Sequence, residues 1–275
     1  MNLRAALVIL VVASLQACAS FGTFVGQDSS EVQFAETAEE NMRRGDEAMK
    51  AKNFQEASAF FEFVKTKYPY LELAKEAELR LGDADYERDR FIEARDRYQN
   101  FVRLHPTHPK IDYASFRAAL THYKEIPSDF FLLPPASEKD QVEVRNAMSA
   151  MSEFMRGFPG SEYQAEAKKV LDEVRLRLAE HELYVAEFYA KRDRWPAVVT
   201  RLSVVAKDYS GIGLDERAAF GLYDAYLKLK DPAKAREALE RYVQKFPNDA
   251  GVKKAQKLIG ELPAKSAEPS PDAGS

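Results

Sequence analysis

Apolar residues along most of this chain return every three or four positions. Phe54, Ala57, Phe60, Phe61 and Val64 make one stripe, and Phe91, Ala94, Tyr98, Phe101 and Val102 make its counterpart. That spacing gathers the side chains on one face of a helix. No segment alternates with period two for long enough to predict a strand. The stripes belong to a larger unit in which an alanine is followed four positions on by a bulky residue and eight after that by a proline. It reads Ala57, Phe61, Pro69; Ala94, Tyr98, Pro106; Ala147, Met151, Pro159; and Ala235, Leu239, Pro247. Val198, Leu202 and Ser210 make a weaker copy. An aromatic (Tyr68, Phe158, Tyr209 or Phe246) precedes the stop in four of the five. Gly45 and Gly82 stand twelve residues before the first two alanines. The alanine lets a paired helix approach closely, the bulky residue fills the gap to the next pair, and proline cannot continue the hydrogen-bond ladder. The first two stops lie 37 residues apart, as do the last two.

A period of this length, with glycine, alanine, aromatic and proline in this order, resembles the tetratricopeptide (TPR) helical hairpin. The expectation is an all-α, TPR-like solenoid of about five hairpins. Two stop-to-stop distances exceed the period. The first, from Pro106 to Pro159, places an insertion in the third unit around residues 126–135. Its apolar tetrad of Phe130, Phe131, Leu132 and Leu133 either packs back on the solenoid or is offered to a partner. The second runs from Pro159 to Ser210. Residues 162–192 there hold no Gly or Pro, which predicts one long helix in the fourth unit, joining three front hairpins to two rear ones.

The N-terminal pattern differs. Arg4, an apolar run from Ala5 to Leu15, then Leu15-Gln16-Ala17-Cys18 describe an export signal too short to span a bilayer. A cysteine directly after the cut resembles a bacterial lipobox, which makes Cys18 the expected lipid-attachment residue and mature N-terminus. Ala19, in place of an aspartate, points to the periplasmic face of the outer membrane. The resulting division is residues 1–17 signal peptide, 18–34 lipidated N-terminus and flexible tether, 35–160 front hairpins 1–3, 161–262 rear hairpins 4–5 with a C-terminal helix, and 263–275 a Pro/Ala/Ser-rich disordered tail.

Composition mainly excludes. A formal charge of −4 argues against a nucleic-acid or polybasic membrane surface. One cysteine allows no internal disulfide. His105 and His108 are three apart but between prolines, His122 and His181 are isolated, and no HExxH or glycine-rich phosphate loop occurs. Asp83 and Asp85, two apart on a helix, diverge. The alternating charges of residues 83–97 read as a solvated face. The expectation is no enzyme, no metal and no cofactor beyond the covalent lipid.

By the TPR resemblance, the first helix of each hairpin lines a concave groove. Taking Gly45, Gly82 and Ala119 as equivalent, unit one presents Glu39, Met42, Asp46 and Met49, and unit two adds Glu76 and Asp83. The peptide-binding candidates are Leu79, Tyr86, Tyr113, Phe116, Leu120 and Tyr123. Such aromatics suit an extended, aromatic-containing peptide. Without the paired Lys and Asn of a carboxylate clamp, apolar contact is expected to supply the affinity.

Two stretches are more specific. The run Arg103-Leu104-His105-Pro106-Thr107-His108-Pro109-Lys110-Ile111-Asp112-Tyr113 resembles the second-to-third repeat junction of the BamD family, TPR lipoproteins of the outer-membrane β-barrel assembly machine. Tyr184-Val185-Ala186-Glu187-Phe188-Tyr189, followed by Trp195, Ala197-Val198-Val199 and Arg201, is similar to that family's fourth repeat. The insertion departs from it, since Leu132, Leu133 and two prolines follow Phe130 and Phe131 where the family often has glycine. The resemblance implies that the front hairpins receive unfolded β-barrel precursors through a C-terminal targeting segment. It implies that the rear hairpins dock on a periplasmic POTRA domain of BamA, that Arg201 pairs with an acidic residue there, and that accessory lipoproteins join. The rival readings are a TPR lipoprotein of pilus secretin assembly or cell-wall coordination, or a lipid-anchored cell-wall enzyme activator.

Overall fold

The computed structural model describes residues 32–127 and 140–263; Cys18, the apolar tetrad of the insertion and the tail after 263 lie outside the described residues. Every regular element among the described residues is an α-helix. In order they are α1 (Ala38–Lys50), α2 (Phe54–Lys67), α3 (Glu72–Glu87), α4 (Phe91–Leu104), α5 (Ile111–Lys124), α6 (Val142–Gly157), α7 (Gln164–Ala190), α8 (Trp195–Asp208), α9 (Asp215–Lys228), α10 (Pro232–Lys245) and α11 (Val252–Glu261). Each packs chiefly against its neighbours in sequence, as a solenoid requires.

Local chemistry sets the helix ends. Thr37 caps α1, its hydroxyl accepting from Glu40 N at 3.3 Å, with Glu39 and Glu40 in the first turn and Lys50 in the last. Asp231 caps α10 by accepting from Lys234 N at 3.0 Å, and Pro232 opens that helix. These placements satisfy free N–H groups and suit the helix dipole. Within four of the hairpins the turn uses one left-handed residue: Lys52, Asp89, Asp193 and Lys230, with φ of 60°, 57°, 54° and 59°. The first two are 37 residues apart and so are the last two, so the sequence period is also a backbone period. The third hairpin replaces this tight turn with the longer connection that contains the insertion.

The repeat positions are the most buried of all. Ala57, Ala94, Ala147 and Ala235 are fully buried, and so are their bulky partners Phe61, Tyr98, Met151 and Leu239; Val198 and Leu202 are nearly so. The glycines explain themselves against the rings. A Cβ on Gly45 would lie 2.4 Å from Phe61 Cε1, and one on Gly82 would lie 2.8 Å from Tyr98 Cε1. Only a residue without a side chain lets those aromatics lie across the facing helix.

The long helix divides its buried face between two cores. Ala167, Val170, Val174 and Leu178 pack with α3 to α6, and Ala179, Leu183 and Ala186 pack with α8 to α10. One rigid element therefore joins front to rear, in the span expected from residues 162–192. At its upstream half Arg177 Nη2 donates to Pro127 O at 3.2 Å, fastening the start of the insertion to α7. No helix among the described residues is long and apolar enough to cross a membrane.

The chain is held earlier than a tether ending at residue 34 implies. Arg44 Nη1 donates to Gln33 O at 3.0 Å, and Phe34 stacks on Phe63 with ring centroids 4.2 Å apart. At the other end Arg236 Nη2 donates to Leu262 O and Pro263 O, at 2.8 and 3.0 Å, and fixes the exit of α11.

Candidate functional site

The first helices of the front hairpins, α1, α3, α5 and the start of α7, form one wall. At its centre is Asp83, buried on α3. Its Oδ1 accepts from Tyr98 Oη at 2.7 Å and Tyr113 Oη at 2.5 Å. Arg117 of α5 closes the group: its Nε donates to the Tyr98 oxygen at 3.2 Å and lies 3.8 Å from Asp83 Oδ1. The Arg117 guanidinium also sits over the Tyr86 ring, 3.8 Å from its centroid, a cation–π contact. Arg80 reaches Asp83 Oδ2 at 3.4 Å and Asp46 of α1 at 3.1 Å. Burial, then the Asp83 charge, push the phenols of Tyr98 and Tyr113 upward, so both stay protonated and donate.

This arrangement corrects two expectations. Asp83 and Asp85 do diverge, but neither is solvated: both are buried, and Asp85 is held by Arg97 Nε at 2.6 Å. Asp85 ties α3 to its own hairpin partner α4, whereas Asp83, through Tyr113 and Arg117, ties the second hairpin to α5 of the third. The second correction concerns the groove. Leu79, Tyr86, Phe116 and Leu120 are buried. This register is covered by packed neighbours; Phe116 stacks on Tyr163 at 5.1 Å and meets Phe154 of α6 at 5.4 Å. Tyr113 and Tyr123 keep part of their surface. Tyr123 Oη donates to Glu173 Oε2 of α7 at 2.6 Å, which together with partial burial pushes its pKa up to about 12. The front wall therefore presents Arg80, Arg117, Tyr113 and Tyr123 over an aromatic floor. Its polar share exceeds what an apolar groove would have.

Arg201 projects from α8 and its Nη1 pairs with Glu182 Oε2 of α7 at 3.1 Å. The arginine side chain keeps 39 % of its surface, so part of the guanidinium fork remains open to another carboxylate.

The histidines have structural employment. His105 and His108 pack against the Phe101 ring at 4.8 and 4.9 Å, and His105 Nε2 lies 3.0 Å from Glu78 Oε2. His122, Glu125 and Glu143 bring ligand-type atoms within 4.8 Å of one another. The Arg95 guanidinium already sits among them, paired with Glu125 and 3.1 Å from His122 Nδ1, and supplies the positive charge that such a cluster needs.

Comparison with known proteins agrees with this architecture. The profile of the family YfiO, described as an outer membrane lipoprotein, matches residues 35–229. A tetratricopeptide-repeat profile matches residues 224–249. The outer membrane protein assembly factor BamD of Neisseria meningitidis serogroup B is 30 % identical over 248 residues, covering 85 % of this chain and 89 % of that protein. Its counterpart from Caulobacter vibrioides is 26 % identical over 258 residues, covering 92 % and 79 %. With the family profile running from residue 35, ahead of α1, through the long helix to the end of α9, the chain belongs to the BamD (YfiO) family of outer membrane lipoproteins.

Proposed function

We propose that this chain is a non-enzymatic scaffold of outer-membrane β-barrel assembly, anchored through lipid on Cys18 at the periplasmic face. In this reading the front hairpins bind unfolded precursors and the rear hairpins dock on a POTRA domain of BamA. The observation that carries it is similarity to BamD assembly factors along 85 % or more of the chain, with coverage of both halves. The two halves also offer distinct surfaces. The front wall has half-buried Arg80 and Arg117 beside Tyr113 and Tyr123, suited to a segment with an aromatic side chain and a carboxylate. The rear half has Arg201, whose pairing with Glu182 can be shared with an acidic group of a partner.

Co-purification from detergent-solubilised membranes tests the reading. BamA should be recovered with the native chain and lost with Arg201→Glu, which places a carboxylate against Glu182 and any acidic partner. Recovery of a secretin or a cell-wall enzyme in place of BamA would favour the rival lipoprotein readings. Tyr113→Ala with Tyr123→Ala should weaken crosslinking to a β-barrel C-terminal peptide and leave BamA recovery intact.

A further inference from the structure

The repeat leaves the same slot twice, each walled by two successive second helices and floored by the first helix between them. In front it lies between α4, α5 and α6 and holds about 300 Å³; in the rear it lies between α8, α9 and α10 and holds about 610 Å³. The residues correspond in register. Gln99, Val102 and Ala118 stand 104 positions before Ser203, Ala206 and Leu222, and Glu153 stands 88 positions before Arg241. The slot is therefore a product of the period, whereas its size and charge belong to each copy.

The rear copy departs from the front in both. Ser203 and Ala206 replace the longer Gln99 and Val102 on one lip, and Arg241 replaces Glu153 on the other. Inside, Leu222, Ala238 and Tyr242 are buried and Phe246 is half-buried. Exposed cations rim the opening, Lys207 on α8 and Arg241 and Lys245 one turn apart on α10. Arg241 reaches Glu237 at 3.5 Å, and among the described residues no ion pair engages either lysine. The carboxylate of the lining, Asp215, is taken by Ser210 Oγ at 2.5 Å and Gly211 N at 2.8 Å.

Cations strung along two helices suit several carboxylates of a segment better than one anionic head group. A space of this volume takes more than one bulky side chain. Together they fit the apolar face and acidic flanks of an amphipathic helix laid in a groove. The slot is distinct from the Arg201 contact, because Arg201 stands two positions before Ser203 and five before Ala206, on the other side of α8.

We propose that the slot between α8, α9 and α10 binds an acidic amphipathic segment of a partner protein. Its apolar face lies against Leu222 and Tyr242, and its carboxylates meet Lys207, Arg241 and Lys245. This surface is separate from those assigned above to precursors and to BamA.

The test uses the full-length acylated protein in lipid nanodiscs and the fluorescence anisotropy of a labelled synthetic peptide. The peptide carries leucines at i, i+4 and i+7, glutamates elsewhere and blocked ends. Binding should be saturable, and about ten-fold or more weaker when lysines replace the glutamates or alanines the leucines. Lys207→Glu with Lys245→Glu, both at exposed sites, should weaken it by a similar factor. So should Ala206→Leu with Ala238→Leu, which narrows the slot from both walls. Tyr113→Ala with Tyr123→Ala, in the front wall, should leave it unchanged. No binding to the native chain, or binding that both rear pairs of substitutions leave intact, overturns the proposal. Three results give the slot to another occupant and overturn it as well. They are laurate binding without peptide binding, self-association lost with Lys207→Glu and Lys245→Glu, and a gain in peptide affinity on removing residues 264–275.

Discussion

The front and rear hairpins share one repeat but are sealed differently. In front, the bulky repeat position is Phe61, Tyr98 or Met151, and Tyr98 also feeds a buried carboxylate linking α3, α4 and α5. In the rear the same position in hairpin four is Leu202, set against Gly221, where a Cβ would meet Leu202 Cδ1 at 2.7 Å. Between α8, α9 and α10 the small side chains Ala206, Ala219 and Ala238 leave a cavity of about 610 Å³, floored by Leu222, Tyr242 and Phe246. The period fixes where helices meet; side-chain volume and buried polar groups at those meetings decide how tightly each half is locked.

The largest way to break this comparison is at Asp83. Asp83→Ala strands two phenols and leaves Arg117 without its buried carboxylate, and should cost about 3–5 kcal/mol. Asp215→Ala, in the rear, removes an acceptor for Ser210 Oγ at 2.5 Å and Gly211 N at 2.8 Å at a helix start. It should cost only about 1 kcal/mol. Equal losses in urea unfolding would mean that the Asp83 network is not what distinguishes the front.

Packing provides the next step down. Gly82→Ala drives a methyl into the buried Tyr98 ring and should cost about 1–3 kcal/mol. Gly221→Ala meets the end of an aliphatic side chain that can rotate, and the gain in helix propensity of about 0.5–1 kcal/mol offsets much of the contact. Filling sharpens the contrast. Ala238→Leu, at the cavity, should stabilise by about 0.5–2 kcal/mol, whereas Ala94→Leu in the front should destabilise by about 1–3 kcal/mol. A destabilising Ala238→Leu would show that the rear space is closed by motion of α10.

Much of this was legible in the chain. The alanine and bulky positions and the Gly-free, Pro-free helix α7 all follow from spacing. Burial of Asp83 was not. Its partners Tyr98 and Tyr113 lie 15 and 30 residues away on other helices, and a run of alternating charges looks the same in sequence whether solvated or enclosed. The groove register failed for a related reason. A repeat position says which face of a helix a residue occupies. It does not say how closely the neighbouring elements cover that face, and Phe116 and Leu120 are covered while Tyr113 is only partly so. Phe34 falls at the end of the tether expected over residues 18–34; its ring finds Phe63 only in three dimensions.

The smallest expected effect separates the halves by pH. Glu76 in the front is held below the usual carboxylate range by its hydrogen bond to Lys110, which clips α3 to the turn before α5. Its contribution is present above the unfolded value of about 4.5 and is lost as pH falls through the lower folded value. Asp224 in the rear is shifted the other way, raised by burial against the opposing pull of Lys254 and Lys228. A carboxyl raised on folding favours the native state below its unfolded pKa and ceases to do so as pH rises through the folded one. Acidification from pH 7 toward 4 should therefore weaken the front slightly and relieve the rear. Trp195, the only tryptophan and part of the rear core, reports that half by fluorescence, while helical circular dichroism reports both. Asp224→Asn should raise the Trp195 midpoint at pH 7 and leave it unchanged near pH 3.5, and an equal gain at both pH values would show that the charge of Asp224 is not what weakens the rear half.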